Sequence, residues 1–234
     1  MVECNGKEVL DKLRSKYKYD IKEFATLLIY EKTRDPFKVL IATILTQNST
    51  DKAALRAFNK LEEEVGVSIE NLSRASEEEI RKAIRIAGLA NSKAKGIKEL
   101  VNVLIRYYGG DFGNMLKGEL EEVREKLLKL PRVGEKTADV LLTTIFNAKY
   151  FAIDTHIKRV SHRLGFKSKN YRELSKQLSE FFDGHIMEAH LMLITHGRRT
   201  CKARKPLCQE CVINHCCEYY KAKYNSTLPF KESG

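Results

Sequence analysis

Two residues stand in settings that suit chemistry. Lys136 lies in LPRVGEKTADV (130–140), just past Gly134 and where a helical pattern begins. An amine in the first turn of a helix meets the positive end of the backbone dipole, which disfavours its charged form, and partial burial acts the same way. Both make a neutral, nucleophilic amine easier to reach. An isolated lysine is ordinarily a solvated surface group, so the setting carries the argument. Asp154, in FAIDTHIKRV (151–160), occupies the expected N-cap of the next helix, where backbone amides keep a carboxylate ionised. Capping alone accounts for an aspartate there, and such a group also moves protons and stabilises developing positive charge.

Four cysteines crowd the C-terminal end as Cys201, Cys208, Cys211 and Cys217, spaced C-x6-C-x2-C-x5-C. Four thiols so close together in a basic chain point to a bound metal centre. Zinc sites usually combine two short-spaced pairs, and only Cys208 and Cys211 form one here. The longer, unequal loops favour a cubane iron–sulfur cluster, whose irons are spread over separate thiolates. Cys216 competes with Cys217 for the last position, and remote Cys4 reads as a free thiol. Between the first two cysteines, Lys202, Arg204 and Lys205 project from a short tethered loop, with Arg198 and Arg199 upstream. These cations form a phosphate clamp, offset the thiolate charge, or do both.

The elements that must position these groups read as helices nearly throughout. Apolar residues recur at three- and four-residue steps over 51–65, 76–86, 92–107, 119–129 and 137–147, with further helices over 155–164, 171–182 and 185–196. Segment 36–47 opens on Pro36 and is apolar at most positions, as in a buried helix, though its β-branched residues also suit a strand. Ser76 and Glu79 fit a capping box. No strand alternation persists, so the expected class is all-α. Helix 119–129, LPRVGE and helix 136–147 form a helix–hairpin–helix pattern, in which Pro131 stops the first helix and Gly134 permits a positive φ or close approach by another molecule. The amides of 133–136 make an anion site at a helix N-terminus, suited to a phosphate.

The 234 residues carry a net charge of +11, with 42 Lys and Arg against 31 Asp and Glu, which suggests a polyanionic partner. No apolar run reaches membrane-spanning length, and the charged N-terminus lacks a signal-peptide core. The expected compartment is the cytoplasm, beside the nucleoid, in a prokaryote or the nucleus in a eukaryote. Disulfides are uncommon there.

Taken together, these motifs resemble the endonuclease III group of DNA glycosylases, in the helix–hairpin–helix superfamily. LPRVGEKTADV is similar to the family hairpin, with Lys136 at its catalytic lysine; AIDTHIKRV places Asp154 at its catalytic aspartate. HGRRTCKARKPLCQECVINHCCEY resembles its cluster segment. PFKVLIATILTQNSTDKAA and GLANSKAKGI resemble its two DNA-wedging regions. The resemblance implies two helical domains with a cleft between them. One is a six-helix barrel with the hairpin at 28–147. The other comprises 1–27 and 148–220 and carries a [4Fe–4S] cluster on Cys201, Cys208, Cys211 and Cys217. Residues 221–234 are expected to be a flexible tail. It further implies a monomer that flips damaged bases, oxidised pyrimidines first among them, out of double-stranded DNA. Lys136 displaces the base through a Schiff base and the strand is nicked by β-elimination, at abasic sites as well.

The implied DNA contacts are Leu89 as a wedge, either Gln47 or Asn48 as its companion, Val133 and Gly134 at the hairpin, and Lys202, Arg204 and Lys205 in the cluster loop. Arg132 replaces the usual hairpin glycine, Asp139 stands where asparagine is frequent, and Ala90 where a larger residue is common. The adenine-removing branch carries a glutamate where this chain has Ala42 and lacks the lysine. A uracil/thymine-mismatch or oxidised-purine glycosylase and a non-enzymatic DNA-binding iron–sulfur protein are the competing readings.

Overall fold

The structure, a computed structural model, describes residues 2–224. Among them the regular elements are α-helices and short 3-10 turns, with no strand, as the apolar spacing predicts. In chain order the helices are α1 Gly6–Lys16, α2 Ala25–Thr33, α3 Pro36–Thr46, α4 Asp51–Glu64, α5 Ile69–Arg74, α6 Glu77–Ile84, α7 Ala90–Tyr108, α8 Phe112–Met115, α9 Leu120–Leu128, α10 Glu135–Phe146, α11 Thr155–Leu164, α12 Tyr171–Phe181, α13 Ile186–Arg199 and α14 Glu218–Tyr224. The described residues of Met1–Tyr19 and Lys149–Gly234 form one compact unit, and those of Asp20–Ala148 another.

In the 20–148 unit, α3 is the central helix, packed against α2, α4 and α10. Its start is set by Asp35, which accepts from the amides of Phe37 (2.8 Å) and Lys38 (3.2 Å), with Pro36 in the first turn. Every residue from Val39 to Leu45 is buried. A helix apolar on all sides belongs inside. The Ser76–Glu79 capping box is present at α6, and the chain then tightens into a 3-10 turn over Arg85–Ala87 instead of continuing the helix to 86.

The two hairpin helices are clamped by a buried ion pair. Arg124 Nε on α9 donates to Asp139 Oδ1 on α10 at 2.7 Å, and both side chains are almost fully enclosed. The guanidinium partner accounts for an aspartate at 139, the position where the family resemblance led asparagine to be expected.

In the other unit, α11 packs against α13, and α1 packs against α13 as well. Gly197 lets α13 approach α11, since a Cβ there would sit 2.8 Å from the His156 Cβ. The expectation of a loose tail from 221 is corrected for Lys221–Tyr224, which complete α14. The Lys221 amide donates to the Cys217 carbonyl (3.1 Å), and its ammonium pairs with Glu3. The rest of that expected tail, 225–234, lies outside the described residues.

Removing one member of a buried pair strands the other charge. Asp139→Ala is expected to lower unfolding free energy by about 3–5 kcal/mol, read by urea denaturation; a loss below about 1 kcal/mol would contradict the clamp.

Candidate active site and metal centre

Three irregular segments of the 20–148 unit meet through side chains: 46–50 after α3, 86–89 before α7, and 130–134 before α10. Gln47 Nε2 donates to the Arg132 carbonyl (2.9 Å) and to Thr137 Oγ1 (3.2 Å), while Arg132 Nη2 donates to Gln47 Oε1 (3.1 Å). Arg132 Nη1 also donates to Ser92 Oγ on α7 at 3.0 Å. The guanidinium that replaces the hairpin glycine therefore folds back and joins the hairpin to the 46–50 segment and to the first turn of α7. Its stem lies over Gly96, where a Cβ would come within 2.4 Å of Arg132 Cγ.

Lys93 completes the junction. It is 0% exposed, and its ammonium donates to the carbonyls of Leu45 (2.8 Å) and Ala87 (3.0 Å), joining the end of α3 to the turn before Leu89. Burial, reinforced by the Arg132 charge, pushes its pKa down to about 8. A lowered pKa alone would nominate Lys93 as the nucleophile. Its enclosure and its two carbonyl partners make it a brace instead.

The positive φ that a hairpin turn needs falls on Arg132 (φ 67), whereas Gly134 has φ −96 and serves as N-cap of α10. Gly134 uses its other property: no atom lies within 4 Å of where a Cβ would stand. Val133 is buried and its amide donates to the Leu130 carbonyl at 3.2 Å, so it packs the hairpin. Lys136 is half-buried in the first turn of α10, two residues past that open position.

Leu89 is 55% exposed and holds a left-handed conformation (φ 49) at the start of α7. A large apolar side chain presented to solvent on strained backbone is not core packing. Asn48 is exposed and likewise left-handed (φ 51), whereas Gln47 is half-buried with its amide engaged in the hairpin.

In the second unit, Asp154 caps α11 as expected, accepting from the Ile157 amide at 2.7 Å. The same helix holds the cysteine segment. Arg159 Nε donates to the Cys201 carbonyl (2.9 Å) and Nη2 to that of Gly197 (2.9 Å). Arg163 Nη1 reaches the Lys202 carbonyl (2.8 Å) and lies 3.2 Å from Cys201 Sγ. Tyr17 donates to Thr200 Oγ1 (2.6 Å) and contacts His196 Nδ1 (2.9 Å), fixing the end of α13. Burial holds His196 at about 4, thus neutral near neutrality.

Cys201, Cys208, Cys211 and Cys217 carry free thiols and line one pocket together with His196, Val160 and Ile213. They form a cysteine-rich group able to hold a metal. Burial pushes the Cys211 thiol up to about 11 and raises Cys208 and Cys217. Thiolates in such a place need a cationic group to offset burial. The Arg163 guanidinium supplies part of that charge at Cys201, so the donor set fits a metal cluster. Lys202, Arg204 and Lys205 are exposed on the intervening loop.

Cys4 and Cys216 correct an expectation. They form a disulfide, with Cα atoms 5.4 Å apart. Cys4 is therefore not a free thiol, and Cys216 does not compete for the pocket. Arg159, Arg163 and Lys93 are the contributors that sequence reasoning passed over, while Arg132 was noted there only as a departure at the hairpin; the i, i+4 spacing of Arg159 and Arg163 on α11 is the one local signal among the three.

A helical chain with a braced hairpin, an exposed Leu89 and a four-cysteine pocket has the layout of a helix–hairpin–helix protein. The model of the HhH-GPD superfamily base excision DNA repair proteins matches residues 41–183. The chain is 45% identical over 213 residues to the endonuclease III of Sulfolobus acidocaldarius, covering 89% of this chain and 93% of that one. It is 37% identical over 197 residues to that of Thermotoga maritima, covering 82% and 87%. A trapped endonuclease III–DNA covalent intermediate with an estranged adenine superposes with a TM-score of 0.76 at 30% identity, covering 93% of this chain and 96% of that one. The chain belongs to the endonuclease III family, and it is a DNA glycosylase and abasic-site lyase acting on DNA. Among the described residues no helix is long and apolar enough to cross a membrane.

Lys93 yields a pH test with a definite sign. Its pKa is about 8 folded and about 10.4 unfolded. Between these values the unfolded chain binds more protons, so stability rises with pH there. Below 8 both states are protonated and the cost of burying the charge is constant. Unfolding free energy of wild type minus that of Lys93→Met is expected to climb between pH 8 and 10, by up to about 1.4 kcal/mol per pH unit; a flat difference would refute the buried charge.

Proposed function

We propose that Lys136 is the nucleophile of a bifunctional reaction on damaged bases, with oxidised pyrimidines as preferred substrates, and that Asp154 is its acid–base partner. The observation that carries this is the placement of Lys136, half-buried in the first turn of α10 beside the open backbone at Gly134. The covalent DNA intermediate of the structurally similar endonuclease III favours the same chemistry.

In this reading DNA enters as a bent duplex with the damaged nucleotide extruded, at least cost where the base is already damaged. Leu89 fills the space left in the stack as an apolar wedge. Asn48 meets the orphaned partner base, because Gln47 is committed to the hairpin. The Lys136 amine attacks C1′, the N-glycosidic bond breaks, and the base departs with its electron pair. Asp154 takes a proton from the amine and stabilises positive charge on the sugar. Opening of the sugar ring leaves a Schiff base on Lys136. That cation acidifies the C2′ protons; loss of one expels the 3′ phosphate.

The open backbone at Gly134 and the α10 N-terminus hold a strand phosphate. Cys201, Cys208, Cys211 and Cys217 hold a [4Fe–4S] cluster, which orders the loop presenting Lys202, Arg204 and Lys205 to the backbone. The chain works as a monomer.

Incubation with an abasic-site duplex and borohydride is expected to give a covalent adduct with wild type and none with Lys136→Gln. Asp154→Asn is expected to slow turnover by about 10²-fold or more. Adduct formation by Lys136→Gln at the wild-type rate, or unchanged turnover by Asp154→Asn, would remove these assignments. Replacing Lys202, Arg204 and Lys205 together by Ala is expected to flatten the dependence of log K on log salt by up to about 0.9 per lost phosphate contact. An unchanged slope would take the loop off the DNA.

A further inference from the structure

The Cys4–Cys216 disulfide sits among other donors. His215 Nε2 lies 3.3 Å from Cys216 Sγ and 3.1 Å from Glu8 Oε1. One donor atom from each of Cys4, Glu8, His215 and Cys216 lies within 4.8 Å of all the others. The two sulfurs are buried, while Glu8 and His215 remain accessible along a surface pocket that Cys4, Glu8 and His215 help to line. Cys217, next in the chain, belongs to the separate four-cysteine pocket, which Cys216 does not line.

We infer that, when the disulfide is reduced, Cys4, Cys216, His215 and Glu8 form a binding site for a divalent zinc-type cation. Two thiolates, one imidazole and one carboxylate are a donor set that zinc accepts with tetrahedral geometry. Bonds of about 2.3 Å to sulfur and about 2.0–2.1 Å to nitrogen or oxygen place tetrahedral donors about 3.3–3.8 Å apart. The observed grouping already lies within 4.8 Å, and reduction frees the two sulfurs to move apart to that spacing.

The redox step balances. A dithiol reductant gives two electrons and two protons to the Cys4–Cys216 bond, yielding two thiols and a disulfide on the reductant. The entering cation then displaces both thiol protons to solvent. In either state the segment before α1 stays fastened to the turn before Cys217, covalently when oxidised and through the metal when reduced. A reducing compartment, where disulfides are lost, thus does not release the end of the cysteine segment.

The test uses the iron-loaded full chain under anaerobic conditions, before and after treatment with a dithiol that is then removed. Cobalt(II) is the probe, since its d–d bands report tetrahedral thiolate ligation. Reduced wild type is expected to take up one equivalent with those bands, and the oxidised protein none. His215→Ala, which removes an accessible side chain, and Cys4→Ser are expected to bind at least about tenfold more weakly after reduction, with iron content unchanged; losing even an outer-shell partner costs about 10–100-fold. Absence of the bands in reduced wild type would overturn the site. Equal uptake by the two variants or by the oxidised protein would do the same, because the cobalt would then lie elsewhere.

Discussion

The 20–148 unit depends on one constraint: Asn48, Leu89 and the hairpin residue Arg132 all lie outside its α-helices. Their segments are held by two cations, the buried Lys93 and the half-buried Arg132. Lys93 draws the carbonyls of Leu45 and Ala87 together, and Arg132 ties the hairpin to Gln47 and Ser92. A neutral side chain at either place would leave carbonyls or an amide without partners in a buried setting, which costs more than the bonds themselves return. Leu89, Asn48 and Arg132 all hold left-handed backbone. Such conformations persist only where their surroundings over-determine them, and these bonds provide that support.

The other unit solves a similar problem with a single helix. α11 starts on Asp154, and its exposed-looking arginines, Arg159 and Arg163, turn toward the cysteine segment and bond its carbonyls. The cap that orients a carboxylate and the struts that order the basic loop thus share one rigid rod. A change in the segment from Cys201 to Ala203 bears directly on α11.

Much of this was legible in the sequence because it is local. Apolar spacing located α3, α4, α7 and α9–α13 to within a few residues, and the capping box at Ser76 and the proline at 36 were read correctly. The hairpin and the four clustered cysteines announced themselves by composition. What was not legible depends on tertiary contacts. Nothing near Cys4 indicates that its partner is Cys216, 212 residues away. Nothing near Lys93 says that a lysine amid polar neighbours is wholly enclosed. The positive φ was expected to be available at Gly134, yet the chain spends it on Arg132 and reserves the glycine for open space. Gln47 and Asn48 are equivalent by type, and the hairpin's claim on Gln47 and the exposure of Asn48 on left-handed backbone appear only in the fold.

The central claim is that one particular amine bonds to deoxyribose. The chain contains many lysines, and burial lowers the pKa of one of them, Lys93, to about 8, so the assignment must be read at the residue. Protease digestion and mass spectrometry of the borohydride-trapped complex would do this. The account predicts that the deoxyribose remnant is carried by the peptide containing Lys136 and by no other. Recovery of the remnant on Lys93, on another lysine or on the N-terminal amine would contradict it.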